Sequence, residues 1–213
     1  MNNLNIKFLE EQLDFIIKKL NKLNIDYYLV GAIGAYLDAG ISFQRNHEDI
    51  DILIYEKDIN KISQVFTKSD YIFLDNRFSS KKILNSKNYT EGEHEVCAKH
   101  IDKDFHIGFF LLEKDQSSYS IIEYFKEYEK QKKIIRTLPI KYFKYQYNDN
   151  LIYYNQNKIK VVRKELIFKN KLVMNREKDL FDIEKLKDFL DIEIYNNLKG
   201  LSKIRKISII ELD

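Results

Sequence analysis

From Leu29 to Tyr55 the chain reads LVGAIGAYLDAGISFQRNHEDIDILIY, and the end of this stretch sets Asp49 and Asp51 into an otherwise apolar run. Ile50, Ile52, Leu53 and Ile54 are what a buried strand requires, and alternation along a strand puts Asp49 and Asp51 on one face. Two carboxylates side by side repel each other and lose hydration, so core packing does not ask for them. A hard divalent cation accounts for the pair, because Mg²⁺ prefers carboxylate oxygens and keeps room for substrate phosphates. Such a pair should titrate as a coupled unit with at least one raised pKa.

The upstream half of the stretch supplies a second part of such a site. Gly31 follows the apolar run Tyr27 to Val30 and precedes a helical pattern from Ile33 to Leu37. A glycine at a strand-to-helix turn lets backbone approach a ligand, and the free N–H groups of a helix start attract phosphate. The turn is neither a Walker loop nor a dinucleotide fingerprint, since Gly-Lys-Ser/Thr and G-x-G-x-x-G are both missing.

Written as a pattern, the stretch is G-A-x-G-x(5)-G-x(4)-R-x-H-E-D-I-D-I. It resembles the signature of the nucleotidyltransferase superfamily related to DNA polymerase beta, in the branch of the lincosamide and aminoglycoside 2″-nucleotidyltransferases. The resemblance covers Leu29 to Ile54, where glycine turn, arginine, histidine and carboxylate pair fall in register. Ala32 departs from it, standing where the family usually has glycine or serine; its backbone N–H is kept and a hydroxyl contact is lost. The resemblance implies an α+β fold: a nucleotidyltransferase-like mixed β-sheet with flanking helices, then a β-rich and finally a helical C-terminal part.

It also implies roles. Asp49 and Asp51 would hold Mg²⁺, with Gly31, Ala32 and Arg45 on the nucleotide. A third carboxylate of the family sits at a strand start in a D-F-H-like context, which carries the metal and catalytic-base roles to Asp104, with Asp102 as the fallback. The segment 171–183 is similar to the family's K-x(4)-R-x-K-D-x-x-D-I pattern, which carries phosphate contacts to Lys171, Arg176 and Lys178. Asp179 and Asp182 would orient those bases or cap a helix. His47 and His106 read as hydrogen-bonding supports, and without a Cys/His cluster the site favours Mg²⁺ over zinc.

The rest of the chain gives an outline. Ile6, Leu9, Leu13, Ile16, Ile17, Leu20 and Leu23 are spaced as one helix face, and Asp58 is placed to cap a helix through Ile62, Val65 and Phe66. Residues 71–74 read as a strand, 76–93 as a loop or irregular hairpin, and 94–101 and 103–112 as paired strands. Residues 131–162 are β-rich, with Pro139 at an edge or strand entry and Asn148-Asp149-Asn150 as a turn. Helical patterns follow over 163–175, 178–190 and from Ile192 onward. The expected division is a catalytic domain over 1–125 and a C-terminal hairpin and helical part over 126–213, completing the cleft.

Composition excludes more than it identifies. With 213 residues, 44% hydrophobic and 32% charged, the chain can bury a substantial core. A net charge of +3 is too mild to argue for nucleic acid. The single cysteine, Cys97, suits a reducing compartment, and neither a membrane span nor a secretory signal is legible, so the expected location is cytoplasmic. The function expected is Mg²⁺-dependent transfer of a nucleoside monophosphate from an NTP to a hydroxyl-bearing acceptor, with a small molecule such as an antibiotic preferred over nucleic acid. The rivals are a toxin-like enzyme acting on tRNA or protein, a metal-dependent phosphohydrolase and a non-catalytic nucleotide-binding module.

Overall fold

The structure, a computed structural model, describes residues 3–66, 69–75, 96–114, 118–127, 130–139, 152–154, 159–201 and 206–212, with side chains described over 6–66, 69–75, 96–113 and 159–198. The elements in order are α1 (Asn3–Lys22), β1 (Tyr27–Val30), α2 (Gly31–Ala39), β2 (Asp49–Tyr55), α3 (Ile59–Val65), β3 (Tyr71–Asp75), β4 (Val96–His100) and β5 (His106–Lys114). They continue with β6 (Ser118–Glu127), β7 (Lys130–Pro139), β8 (Ile152–Tyr154), β9 (Lys160–Val162), α4 (Lys164–Met174), α5 (Glu177–Leu186), α6 (Ile192–Leu201) and β10 (Lys206–Leu212). The α+β class expected from the sequence is the class observed.

One mixed sheet orders the strands β10-β7-β6-β5-β2-β1-β9-β8, and β4 joins β5 off this path while carrying β3. At its centre β2 runs parallel to β5 and antiparallel to β1. Each of these strands is buried on both faces, so their apolar residues sort by parity. Ile50, Ile52 and Ile54 of β2 join Ile107, Phe109 and Leu111 of β5 and Leu29 of β1 in a core closed by α1 and α3. The opposite parity places Tyr28, Leu53 and Leu112 under α2, α4, α5 and α6. Burying one such aliphatic side chain contributes roughly 1.5–3 kcal/mol. Asp49 and Asp51 share the parity of Leu53, so they occupy the start of the second face, beyond its apolar packing.

The helices follow local rules. α1 buries Leu9, Leu13, Ile16 and Leu20, a stripe at intervals of four, three and four residues. Lys19 and Lys22 lie in its last turn, where cations complement the helix dipole. Asn24, at φ 52°, then turns the chain, and the Ile25 N–H donates back to the Leu20 carbonyl, which stops the helix in a Schellman arrangement. Lys160 and Asp26 form an ion pair beside the following strand. No described helix is long and apolar enough to cross a membrane.

Several boundaries differ from the sequence reading. Asp58 lies in a 3-10 turn (Glu56–Asp58) that runs straight into α3, so its side chain makes no cap hydrogen bond and instead accepts from Lys61 Nζ at 2.8 Å. β5 begins at His106, not near residue 103, because the Phe105 N–H donates to the Lys103 carbonyl and closes a tight turn centred on Asp104. Pro139 ends β7, past Thr137, the last β7 residue paired with β10, so its missing N–H interrupts no ladder there. Residue 125 falls inside β6, which pairs with β7 along its whole length. β6 and β10 are additions to the outline. Residues 76–93 and the turn at 148–150 lie outside the described residues.

The crossing of α2 over β1 leaves no room at Gly34. A Cβ built there would stand 2.6 Å from the Leu29 carbonyl oxygen and 2.9 Å from its carbon, both rigid backbone atoms. Gly34→Ala is therefore expected to destabilise the fold by about 1–3 kcal/mol, read as a lower urea midpoint at unchanged slope. A midpoint equal to that of the unsubstituted protein would show that the crossing is looser than described.

Candidate active site

Asp49 and Asp51 are both half-buried, and Ile50 between them is fully buried on the other face. In the parallel register of β2 and β5, Asp49 faces His106 and Asp51 faces Gly108. Burial, and then the neighbouring Asp51 charge, raise the Asp49 pKa; Lys178, His106 and Arg45 pull it the other way. The pair is thus held partly out of water in mutual repulsion, with cations close enough to be felt.

The antiparallel register of β1 and β2 puts Val30 opposite Asp51, so α2 starts beside the acidic pair. Gly31 sits at φ 66°, and a Cβ there would fall 2.4 Å from Asp51 Oδ2. Only glycine lets the carboxylate approach the helix start so closely. The N-cap residue is Val30, which makes no side-chain cap, so no side chain of its own satisfies the first N–H groups of α2, Gly31 and Ala32 among them.

The C-terminal helices bring the cations. Arg176 precedes α5, and Lys178, Asp179 and Asp182 lie at i, i+1 and i+4 on it, close to one face. The charges of Asp49 and Asp51 both act on Arg176, and the charge of Lys178 acts on Asp49. Behind them lies a buried ionic cluster. Asp182, with no solvent exposure, accepts from Tyr36 Oη at 2.6 Å, Arg45 Nε and Nη2 at 3.0 Å each, and Lys171 Nζ at 2.7 Å. Lys171 Nζ also reaches Asp179 Oδ1 at 3.2 Å, and Asp179 accepts from Arg176 Nε at 2.7 Å and from the Arg176 backbone N–H at 3.2 Å. Burial pushes both aspartates toward higher pKa, but these donors outweigh it, lowering Asp182 and bringing Asp179 down to about 2. Tyr36 is pushed well up by burial and by its bond to Asp182.

The residues singled out from the sequence therefore fall into groups. Asp49, Asp51, Gly31 and Ala32 come together at one end of β2. Arg176 and Lys178 lie within electrostatic reach of the carboxylates; Lys178 is exposed and Arg176 about half so. Arg45 and Lys171 come to the same region with their donors turned inward: Arg45 Nη1 serves the Asn46 carbonyl while its fork holds Asp182. Asp104 and Asp102 stand exposed in the turn before β5. Among the described residues, no group of three or more His, Cys, Asp or Glu side chains is gathered closely enough to hold a metal, so Asp104 does not join Asp49 and Asp51 in one cluster.

Sequence reasoning passed over Tyr36, whose only signal was a phenol on a short apolar helix, and did not connect Tyr36 or Arg45 to Asp182; the contact of Asp182 with Lys171 is the orienting role expected of it. His47 differs from expectation too. It is 4% exposed, edge-on to Tyr36 and Phe43 with ring centroids 5.8 and 6.0 Å away, and neither ring nitrogen has a hydrogen-bond partner. Burial first, and then the Arg45 charge, bring its pKa down to about 3.

The unfolded chain takes the His47 proton first, so the stability tied to the neutral ring is complete above about pH 6.5 and is lost as pH falls toward the folded value, by roughly 1.4 kcal/mol per unit. His47→Phe removes this dependence. Between pH 7 and pH 5 the substituted protein should lose about 2 kcal/mol less stability than the original, by urea unfolding. Parallel losses in the two proteins would contradict a neutral buried ring.

No family model and no curated protein sequence matches the chain. Solved structures do. The lincomycin-bound crystal structure of the lincosamide antibiotic adenylyltransferase LnuA aligns at a TM-score of 0.54 with 18% identity, covering 85% of this chain and 98% of that one. The solution structure of the antibiotic-resistance factor ANT(2″)-Ia aligns at 0.57 with 10% identity, covering 95% and 93%. The crystal structure of ANT(2″)-Ia with adenylyl-2″-tobramycin aligns at 0.56 with 9% identity, covering 91% and 95%. At these identities the likeness speaks for the fold: nearly the whole chain is similar in architecture to antibiotic nucleotidyltransferases.

Proposed function

We propose that this protein transfers a nucleoside monophosphate from an NTP to a hydroxyl of a small molecule and releases pyrophosphate. An antibiotic of the lincosamide or aminoglycoside class is the acceptor to test first. The observation that carries this reading is the half-buried Asp49/Asp51 pair against the start of α2, within electrostatic reach of Lys178 and Arg176. The fold of the solved neighbours supports it, and since two of those are described by adenylyl transfer, ATP is the first nucleotide to try.

The donors present fit Mg²⁺. They are hard oxygens, and the burial and Asp51 repulsion that raise Asp49 are what a divalent cation offsets; Mg²⁺ commonly takes one or two carboxylates and completes its shell with water and phosphate oxygens. When bound, it would supply charge neutralisation on the triphosphate and the leaving pyrophosphate. The chain does the rest. The N–H groups of Gly31 and Ala32 cradle phosphate at the start of α2. Lys178, in the first turn of α5, and Arg176, just before it, offset the negative charge. Arg45 and Lys171 act from behind, through Asp182 and Asp179. Asp104, exposed in the turn before β5, is assigned the acceptor side: it takes the hydroxyl proton as the new oxygen–phosphorus bond forms and the bond to pyrophosphate breaks. The single cysteine fits a cytoplasmic enzyme.

The experiment is purified protein with Mg²⁺, each of the four NTPs, and a panel of lincosamides, aminoglycosides and bulk tRNA. Acceptor-dependent pyrophosphate release with a small molecule is the expected result. Asp49→Asn should lower it by at least about 100-fold with an unchanged circular dichroism spectrum. Phosphate release without acceptor would replace the reading with a hydrolase, transfer to tRNA alone would overturn the small-molecule acceptor, and an active, folded Asp49→Asn would remove the carboxylate pair from the mechanism.

A further inference from the structure

We propose that Asp182 is a positioning residue for nucleotide binding: by gathering Tyr36, Arg45 and Lys171 onto one buried carboxylate, it fixes the turn that presents Arg176 and Lys178 to the Asp49/Asp51 pair. The inference rests on the nucleotidyltransfer reading above and adds a residue that does not itself meet the nucleotide.

The geometry carries it. A carboxylate offers about four acceptor sites, and Asp182 fills as many with two N–H groups of Arg45, the Lys171 ammonium and the Tyr36 hydroxyl. These donors come from three places: α2, whose first turn faces the acidic pair; the segment leading into β2, four residues before Asp49; and α4. Asp182 itself belongs to α5. One side chain with no solvent exposure thus joins α2, α4 and α5 to the segment that leads into β2.

Lys178 lies four residues before Asp182, one helical turn back on the same face, so fixing Asp182 sets where Lys178 stands. Lys171 extends the link by bridging Asp182 to Asp179, which in turn holds both the backbone and the guanidinium of Arg176. The fork of Arg45 is bidentate on Asp182 and its side chain is only 20% exposed, so its phosphate-binding geometry is already used within the protein. The chain of bonds from Asp182 through Lys171 and Asp179 ends on Arg176, a cation on which the charges of Asp49 and Asp51 both act.

The test separates positioning from stability by measuring nucleotide affinity in folded protein. The four NTPs with Mg²⁺ are titrated calorimetrically, without acceptor, into the original protein, Asp182→Asn, Lys178→Ala and the double variant, each checked by near-ultraviolet circular dichroism. Each single substitution should weaken the tightest-binding NTP by about tenfold, and the double variant should be no more than about twofold weaker than the worse single one. A folded Asp182→Asn that binds like the original, or losses that simply multiply in the double variant, would overturn the proposal and leave the nucleotidyltransfer reading standing. If no variant and not the original protein binds any NTP, the function reading falls and this inference with it. Should Asp182→Asn fail to fold, Tyr36→Phe removes one donor and no charge. It is expected to weaken binding about threefold, and to do so only when Lys178 is present; unchanged binding would overturn the proposal.

Discussion

The repulsion between two carboxylates two residues apart on one strand face is the constraint to which the surrounding structure answers. Asp49 and Asp51 occupy the start of a central strand whose other face is packed solid by Ile50, Ile52 and Ile54. The strand can be neither shifted nor flipped to relieve them, because a one-residue slip would exchange the two faces. What remains is to bring positive potential to the pair. The start of α2 does so with backbone N–H groups, and α5 does so with Arg176 and Lys178. That leaves Asp49 raised, a strained state which a cation would relax.

Bringing lysine and arginine close to a half-buried site carries its own electrostatic cost, and the buried cluster behind them offsets it. Arg45, Lys171 and Arg176 are balanced by Asp179 and Asp182, both without solvent exposure and both depressed in pKa by their donors. Buried ion pairs contribute little net stability, since desolvation consumes much of the Coulomb gain, yet removing one partner strands the others at a cost of about 3–5 kcal/mol. Such a cluster therefore acts more as a geometric lock than as a source of stability. His47 sits against it as a neutral ring among aromatic edges, which adds no further cation to an already cationic neighbourhood.

Local signals made β1, α2 and β2 legible, because alternation, a glycine and a carboxylate pair each have a single economical reading. For Asp179 and Asp182 the resemblance left two readings, orienting the neighbouring bases or capping the helix; Asp182 holds Lys171, and Asp179 holds Lys171 and Arg176 while accepting from the Arg176 N–H that precedes α5. Long-range geometry was not legible. The fork of Arg45 turns to a carboxylate 137 residues away, which no local pattern announces. Asp104 was placed by its D-F-H context, but the tight turn closed by the Phe105 N–H holds it outside the strand that carries His106. β10, KISIIEL, was absorbed into a helical tail; its place is given by pairing with β7, a partner some 70 residues upstream along the register from Lys206 to Thr137. Tyr36 looked like one more apolar residue until its hydroxyl met Asp182.

In the proposed function the acidic pair and the start of α2 form one site for a metal-bound triphosphate. Crystals grown with Mn²⁺ and a non-hydrolysable NTP analogue would test this directly through the anomalous signal of the metal. The expected result is a peak about 2.0–2.3 Å from carboxylate oxygens of both Asp49 and Asp51, with phosphate oxygens completing its shell and reaching the Gly31 and Ala32 N–H groups. A triphosphate bound elsewhere, or a metal that leaves either aspartate uncoordinated, would contradict it.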